Sequence, residues 1–348
     1  MIPGMTTQKI LILAGAATIL VAATFWFATP AASEYRSGMK ERFIPLPAFD
    51  RADYDARLLA LAHASSTAAV SSSSPALWPV KAAYPEVGAI LPFKRIVAYY
   101  GNFYSAQMGV LGEYPEQQLL SMLASTTAKW AAADPTTPTL PAIQYIAVVA
   151  QGTAGREGKY ILRMPDDQID KALDMANRMH GILILDVQVG LSTVQHELPM
   201  LEKYLQMPNV HLAIDPEFSM KYGNPPGTVI GTFDAADVNY AAQYLAGLVN
   251  TYHLPPKVLV VHRFTQAMVT NYKKIRPLPE VQIVTDMDGW GPQAKKKNTY
   301  LRVIESEPVQ FTGIKLFYKA DLKPPSTGML TTTEVLGLTP APVYIQYQ

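Results

Sequence analysis

The chain has 348 residues, 49% of them hydrophobic, and a formal net charge of +1. That is enough apolar content for a substantial core, and too even a charge balance for a face that neutralises nucleic-acid phosphates. It contains no cysteine, which excludes disulfides, thiolate nucleophiles, Cys-ligated zinc, iron–sulfur clusters and a lipid-modified N-terminal cysteine.

From the N-terminus, Lys9 precedes an apolar run over 10–28, "ILILAGAATILVAATFWFA", about 19 residues or roughly one bilayer span. Its length and the terminal Trp26 and Phe27 exceed what a cleaved secretory segment needs, so residues 1–32 read as an uncleaved signal anchor in the lipid bilayer. Cleavage near "ATPAAS" is the alternative, which would make the protein secreted. Either way, the remainder is expected on the extracytoplasmic side of the cell membrane. Residues 33–90 read as a tether, because 65–76 is a Ser/Ala tract flanked by Pro-containing stretches. Within it, 50–64 could form a helix that either packs against the domain or stands in the stalk.

Residues 91–348 read as one domain. Eight β-branched or apolar runs occur at 96–101, 142–150, 182–189, 210–217, 258–264, 281–289, 311–318 and 342–348. Helix-like segments separate them, including "DDQIDKALDMANRMHG", "TVQHELPMLEKYLQ" and "TQAMVTNYKKI". This alternation predicts an α/β fold, a (β/α)8 TIM-like barrel. A doubly wound open sheet is the competing architecture, but no Gly-rich phosphate fingerprint follows the first strand. The stretch "TAGREGKY" (153–160) reads as a lid or a turn, and the lysines at 295–297 as the solvated start of a helix.

In a barrel strand alternate residues point inward, so polar residues inside apolar runs mark the inner face. That parity sends Tyr100 and Asn102 inward from the first strand, Asp186 and Gln188 from the third, and His211, Asp215 and Glu217 from the fourth. His262 and Phe264 follow from the fifth, Asp286 and Asp288 from the sixth, Lys315 from the seventh, and Tyr344 and Gln346 from the eighth, with Gln348 left open. Arg263, of opposite parity to His262, is expected on the helix side or the rim. Three strands carry an Asp-x-polar pair near their C-terminal ends, where barrel enzymes place active sites. Packing such carboxylates in low dielectric raises pKa values, and Lys315 and His262 would offset part of the repulsion. Lys315 either neutralises a buried acid, with Asp186 as a candidate partner, or serves as a Schiff-base nucleophile. His262 reads as an interior hydrogen-bonded residue, a ligand or a base. Tyr100, Tyr104, Trp290 and Tyr318 could stack on a sugar or simply pack the mouth.

By Asp215 and Glu217 at the end of the fourth strand, the chain resembles the (β/α)8-barrel glycoside hydrolases, in which a fourth-strand acid protonates the leaving oxygen. It departs from the chitinase-like pattern at Ala213, where those proteins carry a further acid, and "GIKLFYK" offers no seventh-strand glutamate nucleophile. Its motif blocks are also similar to exported bacterial barrel proteins of unassigned function. The glycosidase resemblance implies Glu217 as general acid, Asp286 or Asp288 as base or nucleophile, and Asp215 as the group that keeps Glu217 protonated. Tyr100, Asn102, Asp186, Gln188, His262, Lys315, Tyr318, Gln346 and Trp290 would then contact a carbohydrate or other small polar substrate. No organic cofactor is expected. Two other readings stay open: a divalent cation held by the carboxylates with His262, and a non-catalytic module that binds a cell-envelope glycan.

Overall fold

The computed structural model describes residues 49–64 and 76–348. The apolar run at 10–28, its cleavage alternative and nearly all of the Ser/Ala tract lie outside the described residues. No described helix is long and apolar enough to cross a membrane.

Eight strands form the barrel: β1 (Arg95–Gly101), β2 (Thr139–Ala150), β3 (Ile182–Val187), β4 (Val210–Ile214), β5 (Lys257–His262), β6 (Val281–Met287), β7 (Phe311–Leu316) and β8 (Tyr344–Tyr347). Each pairs in parallel with the next, and β8 closes on β1 with Ile96 opposite Tyr344. The expected TIM-like barrel is therefore present. The main helices are α1 (Arg51–Leu61), α2 (Glu116–Ala133), α3 (Asp166–Arg178), α4 (Ala235–Tyr252) and α5 (Gln293–Thr299), the last continuing into a π-helical turn, Tyr300–Glu305. A shorter α6 (Thr332–Leu336) precedes β8.

Local sequence explains these elements. In α3, Asp166 and Asp167 occupy the first turn and Arg178 the last, matching the helix dipole, while Ile169, Ala172, Met175 and Ala176 turn one apolar stripe onto the barrel. Asp234 starts α4 through a reciprocal capping box with Asp237. The segment "TQAMVTNYKKI", expected as a helix, is instead a single 3-10 turn, a two-residue strand (Val269–Thr270) and a second 3-10 turn. Two features redirect it. Asn271 adopts a left-handed conformation (φ 57°), and the Asp234 carboxylate accepts hydrogen bonds from Thr270 Oγ1 (2.7 Å) and Asn271 Nδ2 (2.5 Å). Residues 153–160 form a hairpin turn, since Ile161–Arg163 runs back antiparallel to the end of β2. Arg163 fixes that hairpin by a forked contact to the buried Glu197 at 2.7 and 2.9 Å.

The strands separate two cores by parity. Leu183, Leu185, Val187, Leu212 and Ile214 pack outward beneath the helices. Ile184, Ala213, Val260, Val284 and Tyr344 fill the interior. That interior core continues below the barrel into Tyr54 of α1, Leu91 and Phe93, so α1 packs under the N-terminal ends of the strands and closes the floor. Residues on both sides of the expected 90/91 division thus share one core, and 49–64 and 76–90 are not a free tether. Gln282, an inward residue near the floor, accepts from Ile90 N (2.9 Å) and Leu91 N (3.0 Å) and donates to Leu91 O.

Candidate active site at the barrel mouth

Among the described residues the floor is packed, and the interior opens where the strands end. A cavity of about 660 Å³ lies at the C-terminal mouth. Of the residues expected there, Tyr100, Gln188, Asp215, Glu217, Asp288, Trp290 and Lys315 line it.

β4 ends at Ile214, and Asp215 then caps a 3-10 turn, Pro216–Phe218, accepting from Glu217 N at 3.1 Å. The turn carries the Glu217 side chain to the cavity wall, so Asp215 positions Glu217 through the backbone. Gly231 passes tightly beneath this turn: a Cβ there would lie 2.6 Å from both Pro216 O and Glu217 O. Gln188 donates to Asp215 Oδ2 (3.3 Å) while its own oxygen accepts from Ala150 N (3.0 Å), tying β3 and β4 to the end of β2.

Burial sets the charge state of these acids. Desolvation, and then the nearby Asp288 carboxylate, push the Glu217 carboxyl up to about 7 against the opposing pull of Lys315. Asp215 is driven well above the ordinary aspartate range by burial, as is Asp288 to a lesser degree, with His262 opposing both. An acid that titrates near neutrality at an open mouth can both donate and accept a proton.

Below the cavity lies a buried hub. His262 Nε2 is 2.8 Å from Asp186 Oδ2, and its Nδ1 is 3.2 Å from Asp286 Oδ2 and 3.6 Å from Asp288 Oδ2. Burial opposes charging of the ring, but the surrounding carboxylates overcome it and hold the imidazole well above its usual pKa, as imidazolium. Gln144 donates to Asp186 Oδ2 at 2.6 Å and accepts from the Tyr344 hydroxyl, and Gln346 donates to that same hydroxyl at 3.2 Å. Gly313 makes room: a Cβ there would sit 2.7 Å from Asp286 Oδ1 and from the Tyr344 ring.

This arrangement corrects several expectations. Asp186 partners His262 and Gln144, not Lys315, because β3 brings it to the hub beneath the cavity. Asp286, His262 and Gln346 sit at that same depth and do not line the cavity, which leaves Asp288 as the sixth-strand acid at the wall. Asn102 is buried and holds the end of β2, donating to Ile146 O at 3.0 Å. Tyr318 lies on the outer side, stacked on Tyr347 at 5.1 Å with its hydroxyl 2.9 Å from that of Tyr99, and Phe317 lines the cavity instead. Tyr104 is exposed and outside the cavity. The lysine run is not uniformly solvated. Lys296 is buried, paired with Asp321 at 3.0 Å, and donates to Lys315 O (2.6 Å) and Gly289 O (2.9 Å), clamping the ends of β6 and β7. Arg263 faces the helix layer as expected, donating to Gln266 O and contacting Glu307.

Gln144 and Phe317 escaped the sequence reading, although Phe317 shares the parity of Lys315; Phe264 lines the cavity from the inward side that parity gives it, and Lys295, expected as part of a solvated run, lines it too. Among the described residues, no group of three or more His, Asp or Glu side chains is arranged to hold a metal ion. The carboxylates that would be needed from β3 and β6 are turned onto His262.

No protein-family model matches the chain, and no curated protein matches it. Among solved structures it is similar to the cellulase Cel5C_n, at 12% identity over 64% of this chain and 65% of that one, with a TM-score of 0.36. It is also similar to the Clostridial cellulose synthase subunit Z (CcsZ) from Clostridioides difficile, at 9% identity over 74% of this chain and 91% of that one, with a TM-score of 0.34. The chain therefore spans less than two thirds of the length of the cellulase. The resemblance to barrel glycoside hydrolases is distant, and at these scores neither neighbour carries a residue role to this chain.

Proposed function

We propose that the barrel is a hydrolase that cleaves a glycan by carboxylate acid/base chemistry. The observation that carries this reading is Glu217, a glutamic acid on the wall of an open cavity whose pKa is lifted to about 7 by burial and by Asp288. Glu217 protonates the leaving glycosidic oxygen, and Asp288 acts across the sugar as base or nucleophile. Asp215 fixes the Glu217 turn through the Glu217 amide. Trp290, 51% exposed at the rim, and Phe264 and Phe317 on the cavity wall supply flat apolar surfaces of the kind on which sugar rings stack. The apolar run at 10–28 supports export and a membrane anchor, with the barrel on the extracytoplasmic side.

The test is a screen of polysaccharides with the full chain in detergent, following new reducing ends, for wild type and Glu217→Gln. Turnover by wild type that is lost in the variant, with an unchanged circular dichroism spectrum, is the expected result. Retained turnover in Glu217→Gln removes it from the mechanism. Glycan binding without turnover by either form identifies a non-catalytic binding module. The anomeric configuration of the first product distinguishes Asp288 as base from Asp288 as nucleophile.

A further inference from the structure

Lys315 is a charged cavity residue to which the proposed chemistry gives no task. It is only 4% exposed, yet its ammonium reaches the cavity. Among the described residues it has no hydrogen-bond partner and no carboxylate within ion-pair distance. Its Nζ lies 3.8 Å from the centroid of the Tyr100 ring and 5.2 Å from that of Phe317, so aromatic faces are the partners the ammonium has among the described residues. A lysine so deeply buried loses hydration, and such a cation is ordinarily paired. Asp288 and Glu217 feel its charge through space without closing on it.

Further cations stand along the way in. Lys295 lines the same cavity, 4.9 Å from the Trp290 ring, and Lys323 approaches that ring to 5.5 Å. Beyond the mouth, an adjoining groove of about 440 Å³ shares Phe264, Thr265 and Thr299 with the cavity and is also lined by Arg302. None of these four cations has an ion-pair partner among the described residues, whereas Lys296, Lys297 and Lys319 nearby are all paired.

We infer that the substrate is an acidic glycan, and that Lys315 receives the carboxylate of a uronic acid unit inside the cavity. This rests on the hydrolase reading above and names its substrate class. A singly charged carboxylate suits one ammonium beside the acids of the wall better than a doubly charged phosphate, whose second charge would face Asp288. Lys295, Lys323 and Arg302 then attract the charged units that flank the bound one.

The experiment is calorimetric binding to the full chain in detergent, using trimers of galacturonate, glucuronate and mannuronate and the carboxyl-reduced neutral form of each. At least one acidic trimer is expected to bind about tenfold or more tightly than its neutral form, a difference of about 1.4 kcal/mol. The preference should shrink as salt is raised and fall below about threefold in Lys315→Met. Equal affinity for acidic and neutral trimers, no binding of any acidic trimer, or a preference unchanged in Lys315→Met overturns the inference. Should Lys315→Met fail to fold, Lys315→Gln takes its place. Reducing-end release from the same trimers separates the two readings. Cleavage of neutral trimers with no acidic preference keeps the hydrolase and removes the anion site. Acidic preference without any cleavage keeps the anion site and removes the hydrolase.

Discussion

At the N-terminal end of the barrel, buried polar groups serve the chain itself. Gln282 closes on the backbone of Ile90 and Leu91, and Arg95 is buried against Asp134 at 2.9 Å and Pro342 O at 3.2 Å. At the C-terminal end, Glu217, Asp288 and Lys315 face a cavity. Between them sits the His262 hub, buried like the floor but as charged as the mouth. Polar groups that close on the fold stabilise it, and those left open at one end mark where stability has been given up for something else. The contrast can be broken at either end by single substitutions.

The largest effect is expected at the mouth, where Glu217→Gln should lower turnover of any hydrolysed glycan by about 10³-fold. In the hub, His262→Ala should destabilise the protein by about 3–5 kcal/mol in a urea titration, because Asp186 and Asp286 would be left as uncompensated buried charges. A stable His262→Ala protein would mean that the hub is neutral. At the floor, Gln282→Leu should cost about 1–3 kcal/mol by stranding the Ile90 and Leu91 amides, with kcat/KM for any turned-over glycan unchanged. Altered kinetics there would undo the separation of the two ends.

A separate effect concerns pH. The Glu217 pKa of about 7 lies above its ordinary value of 4.5, so between these the native state holds a proton that the unfolded chain has released. Stability therefore falls as pH rises from about 4.5 to about 7, and Glu217→Gln should remove that loss. The variant is expected to melt a few degrees above wild type at pH 8, with the gap narrowing as pH falls to 4.5. A constant gap across the range would contradict the lifted pKa.

The barrel was legible because eight apolar runs recur with helical segments between them, and the inner face because alternation within a strand is strict. Asp186, Asp215, His262, Asp286, Asp288 and Lys315 all lie on the side that parity assigned. Depth was harder to read. Parity says which side a residue faces and nothing about its level, so the hub residues and the wall residues looked alike in sequence. Tyr318 was assigned by its nearness to a strand end, although its parity matches Leu316 on the outer face. The 266–274 crossover carried helix-like spacing, but the Asp234 contacts that redirect it are more than thirty residues away in the chain. For α1 the sequence offered a helix that packs against the domain or stands in the stalk, and what decides for packing is the apolar interior above Tyr54.

The most direct measurement is the ionisation of Glu217 itself, followed by carboxyl ¹³C NMR of the full chain with ¹³C-labelled glutamate, the resonance being assigned by its loss in Glu217→Gln. The account predicts a midpoint near 7, keeping a proton donor at the barrel mouth at neutral pH. A midpoint near 4.5 would leave Glu217 ionised there and contradict its role as the acid.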